Sequence, residues 1–458
     1  MASWQQSFYA FLHPRVITML FFGFSAGIPL LLIFSSLGLW LREAGVERAA
    51  VTFFSWAALG YSFKFVWAPI VDFLPFPILG KYLGRRRSWI LVSQIAIILS
   101  IFLMGITDPA AGNTQLKIMA LAAVALGFSS ATQDIVIDAY RIESAPIKFQ
   151  ALMSSTYIAG YRIGMIVSGA GSLFAASYLG SEMNSYNYEA WRVTYFIMGF
   201  FMLIGVATTL IISEPEENKI VKGQYSNYEY IKFFIVFLIA IFCFIGVFLS
   251  SSDISTHLKN YLGEILNNRN FSNFLIELLR LFFALLIASL IAALSIKIKF
   301  IEKKVFVESY LSPVSDFFQR YGIKLAAFLL ILIGLYRISD IVLGVISNIF
   351  YQDLEFSKVE IATIVKTYGL AMAIAGGFLG GILSMKYGVL KILYLGAFLT
   401  VVTNLLFMLL SIYGYNLPLL YFVISADNLS AGIASAAFVA FLSRLTNISF
   451  TAMQYAIF

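Results

Sequence analysis

Apolar residues occur in long runs along the whole chain, separated by short polar segments. About twelve runs are long enough to cross roughly 30 Å of hydrocarbon as helices. Because the backbone in lipid must satisfy its own hydrogen bonds, such runs predict membrane-spanning helices. The ten-residue alternating segments of a transmembrane barrel do not occur. The predicted helices cover residues 16–40, 49–71, 88–107, 117–138, 151–179, 192–213, 231–251, 274–296, 324–347, 359–384, 389–412 and 417–441.

The composition agrees with a membrane protein. Of the 458 residues, 60% are hydrophobic and 12% are charged, and the mean hydropathy is +0.87. Soluble domains carry roughly 25% charged residues. The net charge of +7 comes from short basic clusters between apolar runs, as in cytoplasmic loops. We therefore expect the lipid bilayer as a partner and no nucleic acid.

The basic clusters also predict the orientation. Alternate loops are basic, and the remaining loops are balanced or acidic, so the positive-inside rule places the N-terminus of this multi-pass membrane protein in the cytoplasm. The first run is too long for the apolar region of a cleavable signal peptide, so it is expected to remain as the first helix. The basic loops contain Lys81, Arg85, Arg86, Arg87, Arg141, Lys148, Lys219, Lys222, Lys232, Lys297, Lys299, Lys303, Lys304, Arg320, Lys386, Lys391 and Arg444.

Polar linkers divide the chain into three parts. We predict an N-terminal six-helix bundle over residues 1–215 and a C-terminal bundle over 324–458. Between them, residues 216–323 form linkers and an inserted helical hairpin. A weak internal echo supports two halves: Asp72 and the turn 84–87 are echoed by a glycine-rich helix end and the basic turn 386–391. Such repeats are typical of transporters, which bind the solute between the repeats near the midplane.

Chemistry-bearing motifs of enzymes are not found. There is no Walker A sequence and no metal-ligand spacing of histidine or cysteine. The single Cys243 permits no internal disulfide. We expect no enzyme activity, no cofactor and no metal, which leaves coupling to an ion gradient or facilitated diffusion.

A few ionisable residues lie within the apolar runs, where their cost makes each a functional candidate. Arg162 lies about 16 Å along its helix, near the bilayer centre; it either anchors a solute or carboxylate or forms a structural ion pair. Asp134, next to Gln133, is deep enough to pair with Lys64. Burial disfavours the charged form of a carboxylate, which is the property a proton-coupled carrier needs.

The remaining candidates are less deep or paired within their own helix. Asp138 lies one turn from Asp134 near the cytoplasmic end and is predicted to act in a gate, where it can pair with the arginines 85–87. Arg337 and Asp340 stand at i,i+3, so they either neutralise each other or act on the solute. Asp427 lies about ten residues inside its run and is the candidate proton site of the second half.

Glycines and aromatic residues carry weaker signals. The small residues of the first and fifth runs, such as Gly23, Gly27, Gly160 and Gly164, favour close helix packing over a role in the pore. Aromatic residues near the buried charges are suited to stacking on a sugar ring, but packing roles are as common. They are Trp56, Tyr61, Trp67, Tyr157 and Tyr161.

Several segments together resemble the AmpG-like muropeptide permeases of the major facilitator superfamily. They are Phe63-Lys64-Phe65-Val66-Trp67-Ala68-Pro69-Ile70-Val71-Asp72, Gly84-Arg85-Arg86-Arg87-Ser88-Trp89, Ala131-Thr132-Gln133-Asp134-Ile135-Val136-Ile137-Asp138-Ala139-Tyr140 and Gly160-Tyr161-Arg162-Ile163-Gly164. The resemblance is strongest over about residues 10–215 and looser over 324–458.

The resemblance implies a fold and a function. It implies a major facilitator-type helical bundle and proton-driven import (symport) of anhydro-muropeptides across the inner membrane, in peptidoglycan recycling. Gln133, Asp134 and Arg162 would lie on the solute path. Asp72, with Gly84 and Arg85–Arg87, would form the cytoplasmic gate motif.

The chain departs from the family pattern at its C-terminus. Four complete runs and the start of a fifth follow the insert, so the second bundle is expected to lack its last two helices. The alternatives are a carrier of another polar metabolite, such as an acyl-coenzyme or a sugar conjugate, or a paralogue without transport activity.

Overall fold

Helices make up nearly all of the chain that the structure describes. The structure is a computed structural model and describes residues 4–46, 60, 61, 63–74, 76, 78–182, 185–215 and 227–458. The helices include α1 (Pro14–Glu43), α2 (Ala68–Phe73), α3 (Arg85–Gly105), α4 (Asn113–Ser144), α5 (Ile147–Tyr178), α6 (Tyr188–Ile211), α7 (Asn227–Ser250), α8 (Ser252–Leu266), α9 (Arg269–Lys297), α10 (Ser312–Tyr336), α11 (Ile338–Asp353), α12 (Ile361–Tyr387), α13 (Val389–Tyr413), α14 (Leu417–Leu445) and α15 (Thr451–Ile457).

Eleven helices of the described part are long and apolar enough to cross a membrane. The predicted all-helical membrane fold is therefore confirmed, and most helix bounds agree with the apolar runs within a few residues. The run 49–71 lies largely outside the described residues. The two halves of the bundle are called the N-terminal half (residues 14–215) and the C-terminal half (residues 323–458) below.

The prediction of a single helix over residues 324–347 was wrong. Helix α10 ends at Tyr336, and α11 begins at Ile338. Between them Arg337 has φ −105° and ψ 0°, outside helical geometry. A second interruption lies at Gly322, where φ is 71°. Hydropathy averages over such breaks, so an apolar run cannot reveal them.

The chain divides into two compact units. The first comprises residues 1–71, 76–218 and 318–458, and the second comprises residues 72–75 and 219–317. Within the second unit, α9 packs against α7 and α8. The Arg280 guanidinium donates to the Phe248 carbonyl and lies 4.0 Å from the Phe248 ring centroid. Lys259 forms an ion pair with Glu277 at 2.5 Å.

Glycines bring α1 and α5 into backbone contact in the N-terminal half. A Cβ atom added at Gly160 would lie 1.9 Å from the Leu20 carbonyl oxygen, and one at Gly23 would lie 2.0 Å from that of Tyr157. Small residues permit such close approach of membrane helices. The packing role predicted for these glycines is confirmed.

Glycines likewise bring α12 and α14 into backbone contact in the C-terminal half. A Cβ at Gly376 would lie 2.2 Å from the Leu429 carbonyl oxygen, and one at Gly432 would lie 2.2 Å from that of Ala373. Each half is therefore built around a helix pair whose separation only glycine allows.

The internal echo has a backbone counterpart. Gly84 precedes α3 with φ 85°, and Gly388 precedes α13 with φ 95°. Both values lie in the left-handed region that glycine adopts without strain. The end of the bundle that contains the turns Lys81–Arg87, Arg141–Lys148 and Lys386–Lys391 is called the basic end below.

Candidate functional site

Two arginines, one from each half, lie within electrostatic range of each other. Arg162 is on α5, seven residues beyond Ser155, and its side chain is exposed. Arg337 occupies the break between α10 and α11, and its Nη1 donates to Ser435 Oγ of α14 at 2.7 Å. Like charges held near each other repel unless an anion lies between them. This pair is therefore suited to binding an anionic group between the halves.

The break in the helix matters for Arg337. Interrupted membrane helices expose backbone groups where they line a protein interior or a wet cavity, and such breaks recur at solute sites of transporters. Arg337 lies 14 residues from Ile323 and 16 from Asp353, near the middle of the segment that the two helices span. The break thus lies close to the depth expected of the bilayer midplane.

Asp134 lies at the centre of a polar cluster in the N-terminal half. The Tyr157 hydroxyl donates to Asp134 Oδ1 at 3.4 Å, and the charges of Lys64 and Asp138 act on it electrostatically. Lys64 lies within electrostatic range of Asp134 but forms no ion pair with it within 4 Å among the described residues. Asp134 electrostatically influences Tyr161, the residue next to Arg162. The cluster therefore reaches along α5 toward the arginine pair.

Gln133, next to Asp134, is fully buried. Neither its Oε1 nor its Nε2 has a hydrogen-bond partner in the part of the chain that the structure describes. A buried amide without hydrogen-bond partners is costly, so packing alone does not explain a glutamine at this position.

The charged candidates of the C-terminal half are placed differently. Asp427 accepts a hydrogen bond from Thr403 Oγ1 of α13 at 3.3 Å and influences Tyr351 of α11. These contacts lie on the α13 side of α14. Asp340, predicted to pair with Arg337, lies in a part of α11 whose side chains are outside the described ones.

The arginines that begin α3 are bound within their own half. Arg86 is buried and binds Glu143 of α4 through two hydrogen bonds, of 2.5 and 2.9 Å, while Arg85 lies 3.7 Å from Glu143. The backbone amides of Arg86 and Arg87 donate to the Glu214 carboxylate at 2.7 and 3.0 Å.

Gly84 precedes these arginines, and Asp72 belongs to α2. A Cβ at Gly84 would lie 2.4 Å from the Glu214 side chain, so a larger residue there would displace Glu214, and the positive φ also favours glycine. Asp72 is buried at the end of α2. The expected pairing of Asp138 with the arginines 85–87 was wrong. Asp138 pairs with Arg141 at 3.1 Å, and Arg86 pairs with Glu143.

Arg141 connects the two halves, a role that the sequence did not indicate. It is fully buried, and its Nη1 donates to Gln150, Ser154 and Ser443 at 3.1, 3.2 and 2.8 Å. Its guanidinium carbon also lies 5.2 Å from the ring centroid of Tyr455. The i,i+3 spacing of Asp138 and Arg141 was the available sequence signal for a buried arginine. A basic residue near a helix end is, however, first interpreted as part of a charged loop.

Other contacts close the basic end. A Cβ at Gly381 of α12 would lie 2.5 Å from Ser155 Oγ of α5. The rings of Phe11 and Phe378 pack edge to face at 5.2 Å. Arg162 lies about 10 Å farther along α5 than Ser155, at 1.5 Å per residue, and is exposed. The halves therefore meet at the basic end, and the arginine pair lies beyond that contact.

Comparison with known proteins agrees with this architecture. The family model of the Major Facilitator Superfamily matches residues 15–336. The chain is 28% identical to "Putative transporter AmpG 4" of Rickettsia felis, over 97% of this chain and 85% of that protein. It is 27% identical to the "Anhydromuropeptide permease" of Escherichia coli K12, over 98% of this chain and 71% of that protein. The similarity to AmpG-type permeases thus extends over nearly the whole chain.

A solved structure has the same fold. It is the major facilitator proton:xylose symporter XylE bound to 6-bromo-6-deoxy-D-glucose, with a TM-score of 0.54 and 11% identity over 98% of this chain and 84% of that one. Together with the family match over most of the chain, this fold places the protein among membrane transporters: the chain belongs to the Major Facilitator Superfamily.

Proposed function

We propose that this protein is a proton-coupled carrier that imports anhydro-muropeptides across the inner membrane by alternating access. The observation that carries the proposal is the pair Arg162 and Arg337, contributed by opposite halves and within electrostatic range of each other. The relative from Escherichia coli K12 is named an anhydromuropeptide permease, which supplies the solute class.

The chemistry of the pair suits this solute. A muropeptide combines sugar rings with a short peptide that bears free carboxylates. Guanidinium groups bind carboxylates through two parallel hydrogen bonds. Tyr157 and Tyr161, whose ring centroids are 6.1 Å apart on α5, add apolar ring faces beside Arg162 for the sugar.

Asp134 is the proposed proton site. A carboxyl group on a membrane helix that can change its charge is an element that proton-driven carriers require. Asp134 has the Tyr157 hydroxyl as a hydrogen-bond partner, and the charge of Lys64 acts on it electrostatically. Proton uptake there would change the field at Tyr161, beside Arg162, and so couple to solute binding.

The proposed orientation places the basic end in the cytoplasm. The contacts that join the halves lie at that end, so the described conformation is closed toward the cytoplasm. Import requires these contacts to open after the solute binds beside Arg162.

Uptake tests the proposal directly. Labelled anhydro-muropeptide is supplied to spheroplasts that lack their own permease and express this chain, with and without a proton uncoupler. We expect uptake that the uncoupler abolishes. Uptake no greater than that of cells without the protein, at a confirmed level of membrane insertion, would overturn the function.

The arginine pair is tested in the same assay. Arg162→Gln and Arg337→Gln should each reduce uptake at least tenfold, because a lost charge-assisted pair leaves a solute carboxylate without its partner. Arg192→Gln is the matched control: Arg192 is an exposed arginine that forms an ion pair with Glu189 one turn away, and its loss should leave uptake unchanged. Competition by other anionic solutes in this assay distinguishes a muropeptide carrier from a carrier of another polar metabolite.

A further inference from the structure

A cleft of about 450 Å³ lies at the basic end, between the two halves. One wall is formed by Arg15 of α1 and by the α4–α5 turn from Ile142 to Gln150. The other wall is formed by the end of α14 and the following turn, Ser443 to Ile448. Its size lies in the range of small-ligand sites.

Two cations line this cleft without a carboxylate partner. Arg15 is half-buried and Arg444 is exposed. In the described part of the chain, neither forms an ion pair within 4 Å. The carboxylate that lines the cleft, Glu143, is already bound by Arg86 and lies near Arg85.

The polar groups of the lining are also occupied. Gln150 Oε1 and Ser443 Oγ accept hydrogen bonds from Arg141, and the Thr446 hydroxyl donates to Leu442. The guanidinium groups of Arg15 and Arg444 are therefore the groups left to bind a ligand. Their charge selects an anion, and the fork geometry of arginine suits phosphate oxygens.

We propose that this cleft binds a phosphate-bearing anion between Arg15 and Arg444, and that its occupancy favours the conformation closed at the basic end. This linkage between ligand binding and conformation follows from which half forms each wall of the cleft. Arg15 belongs to the N-terminal half and Arg444 to the C-terminal half, so the complete site exists only while the halves meet there. A ligand that binds one conformation better shifts the population toward it.

The phosphate could come from a free anion or from a lipid headgroup, and two probes distinguish these sources. Inorganic pyrophosphate is titrated onto the purified full chain in detergent at constant ionic strength. Phosphatidylglycerol retention is measured by native mass spectrometry after purification from phosphatidylglycerol-containing nanodiscs. Saturable pyrophosphate binding points to a free anion, and retention of the lipid alone points to a headgroup.

The double variant Arg15→Gln/Arg444→Gln tests the site. It should weaken binding of the effective probe about tenfold or more, because charge-assisted hydrogen bonds are lost. The control, Lys297→Gln/Lys391→Gln, removes the same charge from two exposed lysines elsewhere and should bind as the natural chain does. Equal binding by the double variant and the natural chain, for both probes, would overturn the proposal.

A distance measurement tests the linkage. Spin labels are attached at Tyr82→Cys and Leu390→Cys, exposed positions on opposite halves near the basic end, in a Cys243→Ser background. The probe that binds should increase the population with the shorter label-to-label distance when Arg15 and Arg444 are both present. It should have no such effect in the double variant. An unchanged distance distribution at saturation would refute the linkage. Neither measurement depends on solute uptake, so their failure is separate from failure of the carrier function.

Discussion

Arg141 on α4 donates a hydrogen bond to Ser443 on α14 across a distance of 2.8 Å. A fully buried cation of one half thus contacts the other half directly, while its charge is balanced by Asp138 of its own helix. Because this contact must break when the basic end opens, its strength contributes to the free-energy difference between the two conformations.

Arg141→Gln should destabilise the protein by about 3 kcal/mol, the lower end of the cost of removing one member of a buried pair. The lower end applies because Asp138 keeps 13% of its side chain exposed. Ser443→Ala should cost about 1 kcal/mol, the usual value of one hydrogen bond. Reversible unfolding in mixed detergent measures both. If Ser443→Ala costs as much without Arg141 as with it, the two residues are not coupled.

Gly160→Ala should prevent close packing of α1 and α5. The new methyl group would lie 1.9 Å from the Leu20 carbonyl oxygen, and backbone cannot move aside as a side chain can. Overpacking typically costs 1–3 kcal/mol, and we expect about 3 kcal/mol or more here. Gly38→Ala is the control on α1, because a Cβ there meets nothing within 4 Å. Equal melting temperatures for the two variants would contradict the described α1–α5 contact.

Asp134→Asn should separate solute binding from proton coupling. An asparagine keeps the shape and an acceptor for the Tyr157 hydroxyl, but it cannot take up a proton. Uptake against a gradient should be lost, while exchange of labelled for unlabelled solute across proteoliposomes continues. Glu189→Gln, which removes an exposed carboxylate, should leave both reactions intact. Uncoupler-sensitive accumulation by Asp134→Asn would exclude Asp134 as the proton site.

Apolar runs alone were sufficient to predict most of the helices, because lipid requires long uncharged segments that satisfy their own backbone. The glycines of α1 and α5 were likewise interpretable, since close packing in membranes has a compositional signature. Deep charges such as Arg162 could be found for the same reason: in an apolar run, one guanidinium is conspicuous.

Contacts between distant segments were not predictable from one sequence. The arginines that begin α3 are able to pair with any nearby carboxylate, and only the fold selects Glu143 over Asp138. Arg141 contacts Ser443, 302 positions away, and nothing local to either residue indicates the other. The break at Arg337 is also a property of the packed chain, because no proline lies near it in the sequence.

Arg337 offers the sharpest test of the solute site because its anchor is known. Ser435 Oγ accepts from Arg337 Nη1 at 2.7 Å, so Ser435→Ala should leave the charge in place but loosen its position. We expect a raised KM for uptake with nearly unchanged kcat, whereas Arg337→Lys should lower uptake more strongly, because an ammonium group cannot reproduce the planar fork. Initial rates of uptake over a range of solute concentrations measure both. If Arg337→Lys transports as well as the natural chain, a point charge suffices and paired recognition of a carboxylate by this arginine is excluded.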